Sequence, residues 1–370
     1  MMLNKKYTLI VIILFISFLS YLGYLKIKEN ILYDKIELSY IKEYDEYGTN
    51  YRNLETFFEN NFIKEGYPIT NLISQNSNKQ DIANNNDVLS ESMGLLMQKA
   101  LKDQDEETFN LLWQKVDNNF KKSNELIAWK LPLKDITYGV DETIKNGIVN
   151  ATIDDLRIVK ALFRASEMFG NDDYRNSAVE IGNALKMDCV KENKLLSFDD
   201  ETSDYAIWTY YDLEAMYRLS NYDSTWKKVL VKSIEDIKGH QITGKPFFYQ
   251  KSEQESFKSI ENLIVLMHLY EIGLEDTSAI EFIKMQINES GYYGEYDADG
   301  RALNDIESPA IYGIIAQIAK LDDDHELYML ATDKLNSMMN YQQGKYYGGY
   351  INLDNKESFS FDQLMAMLGY

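Results

Sequence analysis

Glu91 lies in the surroundings that a catalytic acid needs. It shares one helical stripe with Val88 and Leu95, so its carboxyl group falls on an apolar face. Partial removal from water disfavours the charged carboxylate and raises its pKa, and a general acid must hold its proton near neutral pH. The alternative is a glutamate at the end of a buried helix that is hydrogen-bonded or reaches solvent. The stripe therefore indicates either a proton donor or a structural carboxyl group.

Asp154 and Asp155 form a second candidate site, at the start of a predicted helix. Thr152 followed three residues later by Asp155 is a capping-box pattern, and acidic residues in a first turn also complement the helix dipole. This structural interpretation explains one aspartate well. Without further information, a structural role for both is the simpler interpretation.

Aromatic side chains recur at a helical spacing in a third segment, at Tyr205, Trp208 and Tyr211, with Tyr210 beside them. Flat rings with an apolar face and a polar edge stack on sugar rings, and they also fill protein cores. Core packing is the commoner use of such a stripe. A groove lined by these rings on an acidic protein would suit a neutral or cationic polysaccharide.

Composition excludes several other classes of function. The net charge of −21 and the pI near 4.6 argue against a nucleic-acid partner, because binding to phosphates depends on Lys and Arg. The single cysteine, Cys189, excludes an internal disulfide framework. The three histidines, His240, His268 and His325, lack zinc-type spacing. We therefore expect no metal and no cofactor.

Apolar periodicity predicts the elements that position these residues. Twelve stretches place apolar residues at i, i+3, i+4 and i+7, and short polar turns separate them. They cover 49–64, 88–102, 105–121, 152–169, 172–188, 202–219, 223–238, 256–272, 275–288, 307–321, 323–340 and 359–369. Six antiparallel hairpins of this kind predict an all-α fold, an (α/α)6 barrel, in a single domain at 49–370. An open helical solenoid for protein partners is the alternative fold.

The N-terminal thirty residues differ from the rest. Lys5 and Lys6 precede an apolar run from Tyr7 to Leu25, and such a run just spans a hydrocarbon core of ~30 Å. No small-residue cleavage site follows, so we predict an uncleaved transmembrane anchor in residues 1–30 and a linker at 31–48. An acidic domain without disulfides suits the outside of a Gram-positive-type cell. A cytoplasmic placement, or secretion after cleavage of the anchor, stays open.

Several motifs together resemble glycoside hydrolase family 8, in which inverting endo-hydrolases of β-glucans, xylan or chitosan share an (α/α)6 barrel. The resemblance covers roughly residues 50–369, with the motifs in the family's order. The matching segments are Ser90-Glu91-Ser92-Met93-Gly94, Ala128-Trp129-Lys130, Asn150 to Ile158, Tyr205 to Tyr217, Glu295 to Gly300, and Glu307-Ser308-Pro309-Ala310.

The resemblance implies a role for each motif. Glu91 would be the proton donor. Asp155, together with Asp154, would hold the central sugar. Stacking subsites would be formed by aromatic rings, namely Trp129, Tyr205, Trp208 and Tyr211.

The general base departs from the family pattern. Many members supply it from Y-D-A-x-R-x-P, and Lys258 stands at the Asp position of the aligned stretch. Glu255 or Glu261 could replace it. In an inverting enzyme the two carboxyl groups lie ~6.5–9.5 Å apart.

Two functional hypotheses follow. The first is a membrane-anchored extracellular glycoside hydrolase, monomeric, that cleaves a β-linked exopolysaccharide or wall glycan. The second is a glycan-binding protein on the same barrel that has lost its base, which Lys258 favours.

Overall fold

The structure is a computed structural model, which describes residues 2–42, 44, 48–73, 83–200, 202–242, 245 and 256–370. Within this part of the chain, six inner helices alternate along the sequence with six outer helices. The inner helices are α3 (Ser90–Lys102), α7 (Thr152–Phe169), α9 (Leu213–Ser220), α11 (Ser259–Glu271), α13 (Pro309–Leu321) and α15 (Ser360–Gly369). The outer helices are α2 (Gly48–Asn61), α4 (Glu106–Lys115), α8 (Asp172–Asp188), α10 (Ser224–His240), α12 (Thr277–Glu289) and α14 (His325–Met338).

The inner helices form a closed ring. Each packs against the next along the sequence, and α15 packs back on α3. The residues of α13 from Ala310 to Leu321 are all buried, as the centre of such a ring requires. The predicted helical barrel is thereby confirmed.

Glycines set the closest approach within the ring. A β-carbon at Gly313 would lie 2.4 Å from the carbonyl oxygen of Met365, and one at Gly369 would lie 2.8 Å from the α-carbon of Gly313. Any side chain at these two positions would push α13 and α15 apart.

The remaining elements are short, apart from α1 (Met2–Tyr33). They comprise α5 (Leu133–Thr137), α6 (Glu142–Asn146), a π-helical turn (Val116–Phe120) and a 3-10 turn (Trp208–Tyr210). Four antiparallel two-stranded sheets pair β1 (Ile63–Lys64) with β2 (Tyr67–Pro68), β3 (Asp87–Leu89) with β4 (Lys130–Pro132), β5 (Val190–Lys191) with β6 (Lys194–Leu195), and β7 (Ser256–Lys258) with β8 (Glu295–Asp297).

One predicted helix, 202–219, is wrong in its first half, because α9 begins only at Leu213. Before the 3-10 turn, the backbone bonds to a neighbouring segment instead of to its own preceding turn. The amide of Ala206 donates to the carbonyl of Leu195 at 2.8 Å, and the side chain of Asp212 accepts from the amide of Ala215 and caps α9. The aromatic stripe therefore lies on a loop and a 3-10 turn.

The C-terminal end of the N-terminal helix α1 contacts the barrel. Lys28 pairs with Glu235 at 2.7 Å, and the Tyr33 hydroxyl lies 2.7 Å from that of Ser220. In the predicted linker, the amides of Glu37 and Ser39 donate to carbonyls at the end of α11. Residues 37–42 therefore lie against the barrel.

No helix in the described part of the chain is both long enough and apolar enough to cross a membrane. Within the predicted anchor at 7–25, the side chains at 7–13, 16, 19, 22 and 25 lie outside the described residues.

Candidate active site

The first turns of the inner helices meet at one end of the barrel, and this end carries the predicted site. β3 leads directly into α3, and β7 leads directly into α11. The pairing of Val88 with Leu131 fixes β4, and with it Trp129, beside the start of α3. Short strands thus help to position Glu91, Trp129 and Glu261 at this end.

Glu91 is the second residue of α3 and is partly exposed. Burial raises its pKa to about 7, an effect that the charge of Arg157 opposes and that of Asp154 reinforces. Among the described residues its carboxyl group has no hydrogen-bond partner. About half of these carboxyl groups are therefore protonated at pH 7, and no hydrogen bond to the described residues holds the proton.

Asp154 lies beside Glu91 and is held from two sides. The Ser90 hydroxyl donates to Asp154 Oδ2 at 2.8 Å, and Arg157 donates to Asp154 Oδ1. A β-carbon at Gly94 would lie 3.2 Å from Cδ of Arg157, so the glycine makes room for the arginine. The result is an acid, a cation and a carboxylate at one place on the barrel.

Asp155 has different surroundings. It is fully buried and accepts hydrogen bonds from the amide of Ile127 at 2.9 Å and from the side chain of Asn150 at 2.8 Å. Burial raises its pKa well above the usual value. These contacts tie the segment 127–150 to α7. The predicted capping box does not form, because the Thr152 hydroxyl donates to the carbonyl of Leu196.

Trp129 and Tyr210 border Glu91. The carbonyl of Trp129 accepts from the amide and the hydroxyl of Ser90, at 3.0 and 3.1 Å, and its ring is partly exposed. The pKa of Tyr210 is raised by burial and then by the charges of Asp154 and Glu91. Tyr210 was not among the predicted site residues, although it stands within the aromatic cluster.

The other aromatic candidates separate into two groups. Tyr205 is 42% exposed, and the ammonium group of Lys194 lies over its ring, 5.2 Å from the ring centroid. Trp208 is 2% exposed, and Tyr211, at 5%, donates its hydroxyl to the carbonyl of Ala206 and to Asp236. The structure therefore places Trp208 and Tyr211 in the core, where little ring face remains for a sugar.

Glu261 is the predicted base candidate that the structure describes, and Glu255 lies outside the described residues. Glu261 is in the first turn of α11, and its Oε1 lies 3.8 Å from Nζ of Lys258. Both side chains are well exposed. In a ring of six helices α11 stands opposite α3, so Glu261 and Glu91 occupy facing first turns.

A buried charge cluster lies deeper in the barrel. Asp212, His268 and Glu271 each place one ligand-type atom within 4.8 Å of the others. Nζ of Lys160 lies 2.8 Å from a carboxylate oxygen of Asp212 and 2.8 Å from one of Glu271. A lysine ammonium thus supplies the positive charge that these carboxylates need.

No protein-family model matches the chain. A search of curated proteins finds the Bacillus subtilis (strain 168) protein described as "Putative lipoprotein YdaJ", which is 26% identical over 312 residues and covers 78% of this chain and 80% of its own length.

Solved structures match more completely. A novel alpha-amylase from Clostridium perfringens is 29% identical with a TM-score of 0.78, over 87% of this chain and 96% of that chain. The endoglucanase Cel10 from Klebsiella pneumoniae, a family 8 glycosyl hydrolase, is 14% identical with a TM-score of 0.56, over 86% of this chain and 97% of that chain. Further matches include a family 8 xylanase and an endo-beta-1,4-glucanase. With its closed ring of inner helices, the chain has the fold of glycoside hydrolase family 8.

Proposed function

We propose that this protein is a glycoside hydrolase that cleaves a polysaccharide with Glu91 as the proton donor. The observation that carries the proposal is the state of Glu91, a carboxyl group with a pKa near 7 and no hydrogen-bond partner among the described residues. It lies beside the partly exposed ring of Trp129, a surface on which a sugar can stack.

The proposed mechanism is inverting. Glu91 protonates the glycosidic oxygen while a second carboxylate activates water on the opposite face of the sugar. Glu261 is the proposed base. Neighbouring inner helices ~8–10 Å apart put opposite axes roughly 16–20 Å apart, and glutamate side chains that reach inward from two opposite helices would shorten this span toward the inverting separation.

Asp154 is the proposed sugar-holding carboxylate. Its bonds to Ser90 and Arg157 keep it oriented, and hydrogen bonds from a distorted sugar to such a group strengthen in the transition state. Asp155 then supports the site from behind, through Ile127 and Asn150.

The proposed substrate is a β-linked exopolysaccharide or wall glycan. The net charge of −21 favours a neutral or cationic polymer over an anionic one. The competing substrate is an α-linked glucan, because the similar Clostridium perfringens protein is described as an alpha-amylase. We further propose that residues 7–25 hold a monomeric enzyme at the outer face of the cell membrane, a placement in line with the lipoprotein description of the Bacillus subtilis relative.

The second candidate function is a glycan-binding protein without hydrolytic activity. Lys258 stands where many family 8 members carry the base, and its exposed ammonium group approaches Glu261 at 3.8 Å. A lysine in that position cannot accept a proton from water at neutral pH.

The experiment that separates these functions is fragment release from a panel of polymers by the full chain in a non-glycosidic detergent. The panel contains β-1,4-glucan, mixed-linkage glucan, xylan, chitosan, amylose and extracted matrix polysaccharide. Release of oligosaccharides from at least one polymer supports hydrolysis and identifies the linkage. Polymer binding without any release supports the binding function.

The pH dependence of hydrolysis should report on Glu91. Only the protonated acid can donate, so kcat/KM should fall about tenfold per pH unit above pH ~7. The measurement is kcat/KM for a soluble oligosaccharide from pH 5 to 9. A rate that rises from pH 7 to pH 9 would contradict the role of Glu91 as the acid.

Replacement of the proposed base should be rescued by a small nucleophile. Glu261→Gln should lower kcat by ~10²–10⁴ because water then lacks its proton acceptor, and azide should restore turnover by attacking in place of the activated water. Glu289→Gln, at an exposed site at the end of α12, is the matched control and should retain full activity. If Glu261→Gln keeps full activity, and Asp154→Asn loses activity that azide restores, then Asp154 is the general base instead.

A further inference from the structure

The barrel contains a cavity at the end opposite Glu91. It has a volume of about 530 Å³, within the range of small-molecule sites, and lies where α3, α7, α11 and α15 end. We call it the basal pocket and define it by Tyr40, Gln98, Arg164, Glu167, Gln317 and Leu368. Gln98 lies seven residues beyond Glu91 on α3, about 10 Å along the helix axis, so the pocket is separate from the proposed active site.

Arg164 is held rigidly in this pocket with donors to spare. Its Nε donates to Glu214 Oε1 at 2.9 Å, and its Nη2 donates to Glu214 Oε2 and, at 3.3 Å, to Glu271. Among the described residues nothing accepts a hydrogen bond from its Nη1. A fixed guanidinium group with a free edge loses little side-chain entropy when it binds a ligand oxygen.

The side-chain amide groups of two glutamines beside Arg164 can also form further hydrogen bonds. Within the described chain the side-chain amide group of Gln98 makes no hydrogen bond, although the residue is only partly exposed. The Gln317 amide nitrogen donates to the carbonyl of Gly313, which leaves its oxygen as an acceptor. The pocket therefore offers both donors and acceptors, which suits hydroxyl groups, since each hydroxyl both donates and accepts.

The charges that line the pocket balance. Two cations, Lys102 and Arg164, stand against two anions, Glu167 and Glu271. Glu167 pairs with Arg218, and Glu271 pairs with Lys160 and Arg164. A charged ligand would gain little from such a lining, which favours a neutral polar ligand.

Tyr40 completes the pocket at its rim. It is 68% exposed, so its ring offers a free face, while Leu101, Met168 and Leu368 supply apolar surface below. One aromatic face above amide and guanidinium groups is a combination that binds sugar rings.

We propose that the basal pocket is a second carbohydrate site, which binds the end of a neutral oligosaccharide remote from the site of cleavage. The proposal rests on the proposed function only for the class of polymer. A chain bound there would stay attached to the enzyme between cleavage events and raise the effective concentration of polymer at the cleft.

The test is isothermal titration of the full chain carrying Glu91→Gln, which stops turnover, with maltotetraose, cellotetraose and xylotetraose. A non-glycosidic detergent avoids competition from detergent headgroups. At least one tetrasaccharide should bind at two sites per chain. When Tyr40→Ala and Gln98→Ala are introduced into the same chain, the affinity of one of the two binding events should fall at least tenfold.

The control is Tyr138→Ala, which removes a tyrosine that is 90% exposed and lies outside the pocket, and it should leave both events unchanged. Tetragalacturonic acid, a charged probe, should bind the pocket at least tenfold more weakly than the neutral tetrasaccharides. A single binding event for all probes, or two events that Tyr40→Ala and Gln98→Ala leave unchanged, would overturn the proposal. Stronger binding of the charged probe would also overturn it.

Failure of this inference is distinguishable from failure of the proposed function. Tyr40→Ala and Gln98→Ala in an otherwise unchanged chain should leave kcat on a tetrasaccharide unaltered and lower the rate on long polymer. If the Glu91→Gln chain binds a tetrasaccharide at two sites but the unmodified chain hydrolyses no polymer, the carbohydrate site in the basal pocket is supported and the hydrolase function is contradicted.

Discussion

Replacing Glu91 with glutamine should lower the rate of glycoside hydrolysis by ~10²–10⁴, because the variant cannot deliver a proton to the leaving oxygen. The amide keeps the size and shape of the side chain, so polymer binding should be retained. The measurement is reducing-end release by full chain and variant from whichever polymer the unmodified chain cleaves. An activated substrate with a good leaving group should be less affected, since it needs less protonation.

A stability measurement shows whether the variant acts through chemistry. The pKa of Glu91 rises from about 4.5 unfolded to about 7 folded, so the folded state binds its proton more tightly. The glutamate therefore costs stability as pH rises from about 4.5 to 7, by about 3 kcal/mol at most. Glu91→Gln removes this cost and should unfold at higher urea concentration than the unmodified chain at pH 8, with little difference at pH 4.5. A variant less stable than the unmodified chain at both pH values would indicate a structural role.

The helices were predictable because their signal is local. The apolar period of 3.6 residues and the turns between helices can be read from neighbouring residues in the sequence. The bounds of α7 and α8 accordingly match the prediction at both ends. The same period gave a wrong prediction of helix at 202–212, because the aromatic residues there also have helical spacing. The outcome there depended on Leu195 and neighbouring residues, whose backbone competes for the same hydrogen bonds.

The choice between Asp154 and Asp155 could not be made from sequence. Consecutive helical residues point about 100° apart, so only one of them can face the cleft. Which one does depends on the rotation of α7 against partners as distant as Ile127. The partly buried setting of Glu91 was predictable because its own helix carries the apolar stripe, whereas the proposed base belongs to another helix across the ring.

Replacing Lys160 with methionine should cost about 3–5 kcal/mol of unfolding free energy. Lys160 is fully buried, and its ammonium group lies 2.8 Å from both Asp212 and Glu271. Methionine has a similar length but no charge, so two buried carboxylates would lose their shared cation. Lys284→Met, at a partly exposed lysine that pairs with Asp324 and Glu326, is the matched control and should cost less than about 1 kcal/mol. Urea unfolding at pH 7 measures both.

The pH dependence of stability between pH 7 and 5 should differ between the Lys160 variant and the unmodified chain. Burial alone would raise the pKa of Glu271, but the charges of Lys160, His268 and Arg164 hold it well below its usual value. In the unmodified chain Glu271 therefore contributes stability that is present above its unfolded pKa and is lost on acidification. Without Lys160 the buried Glu271 carboxylate binds a proton more readily in the folded state, so acidification from pH 7 to 5 should recover part of the lost stability. Equal pH slopes for the two proteins would show that the lysine does not control these carboxylates.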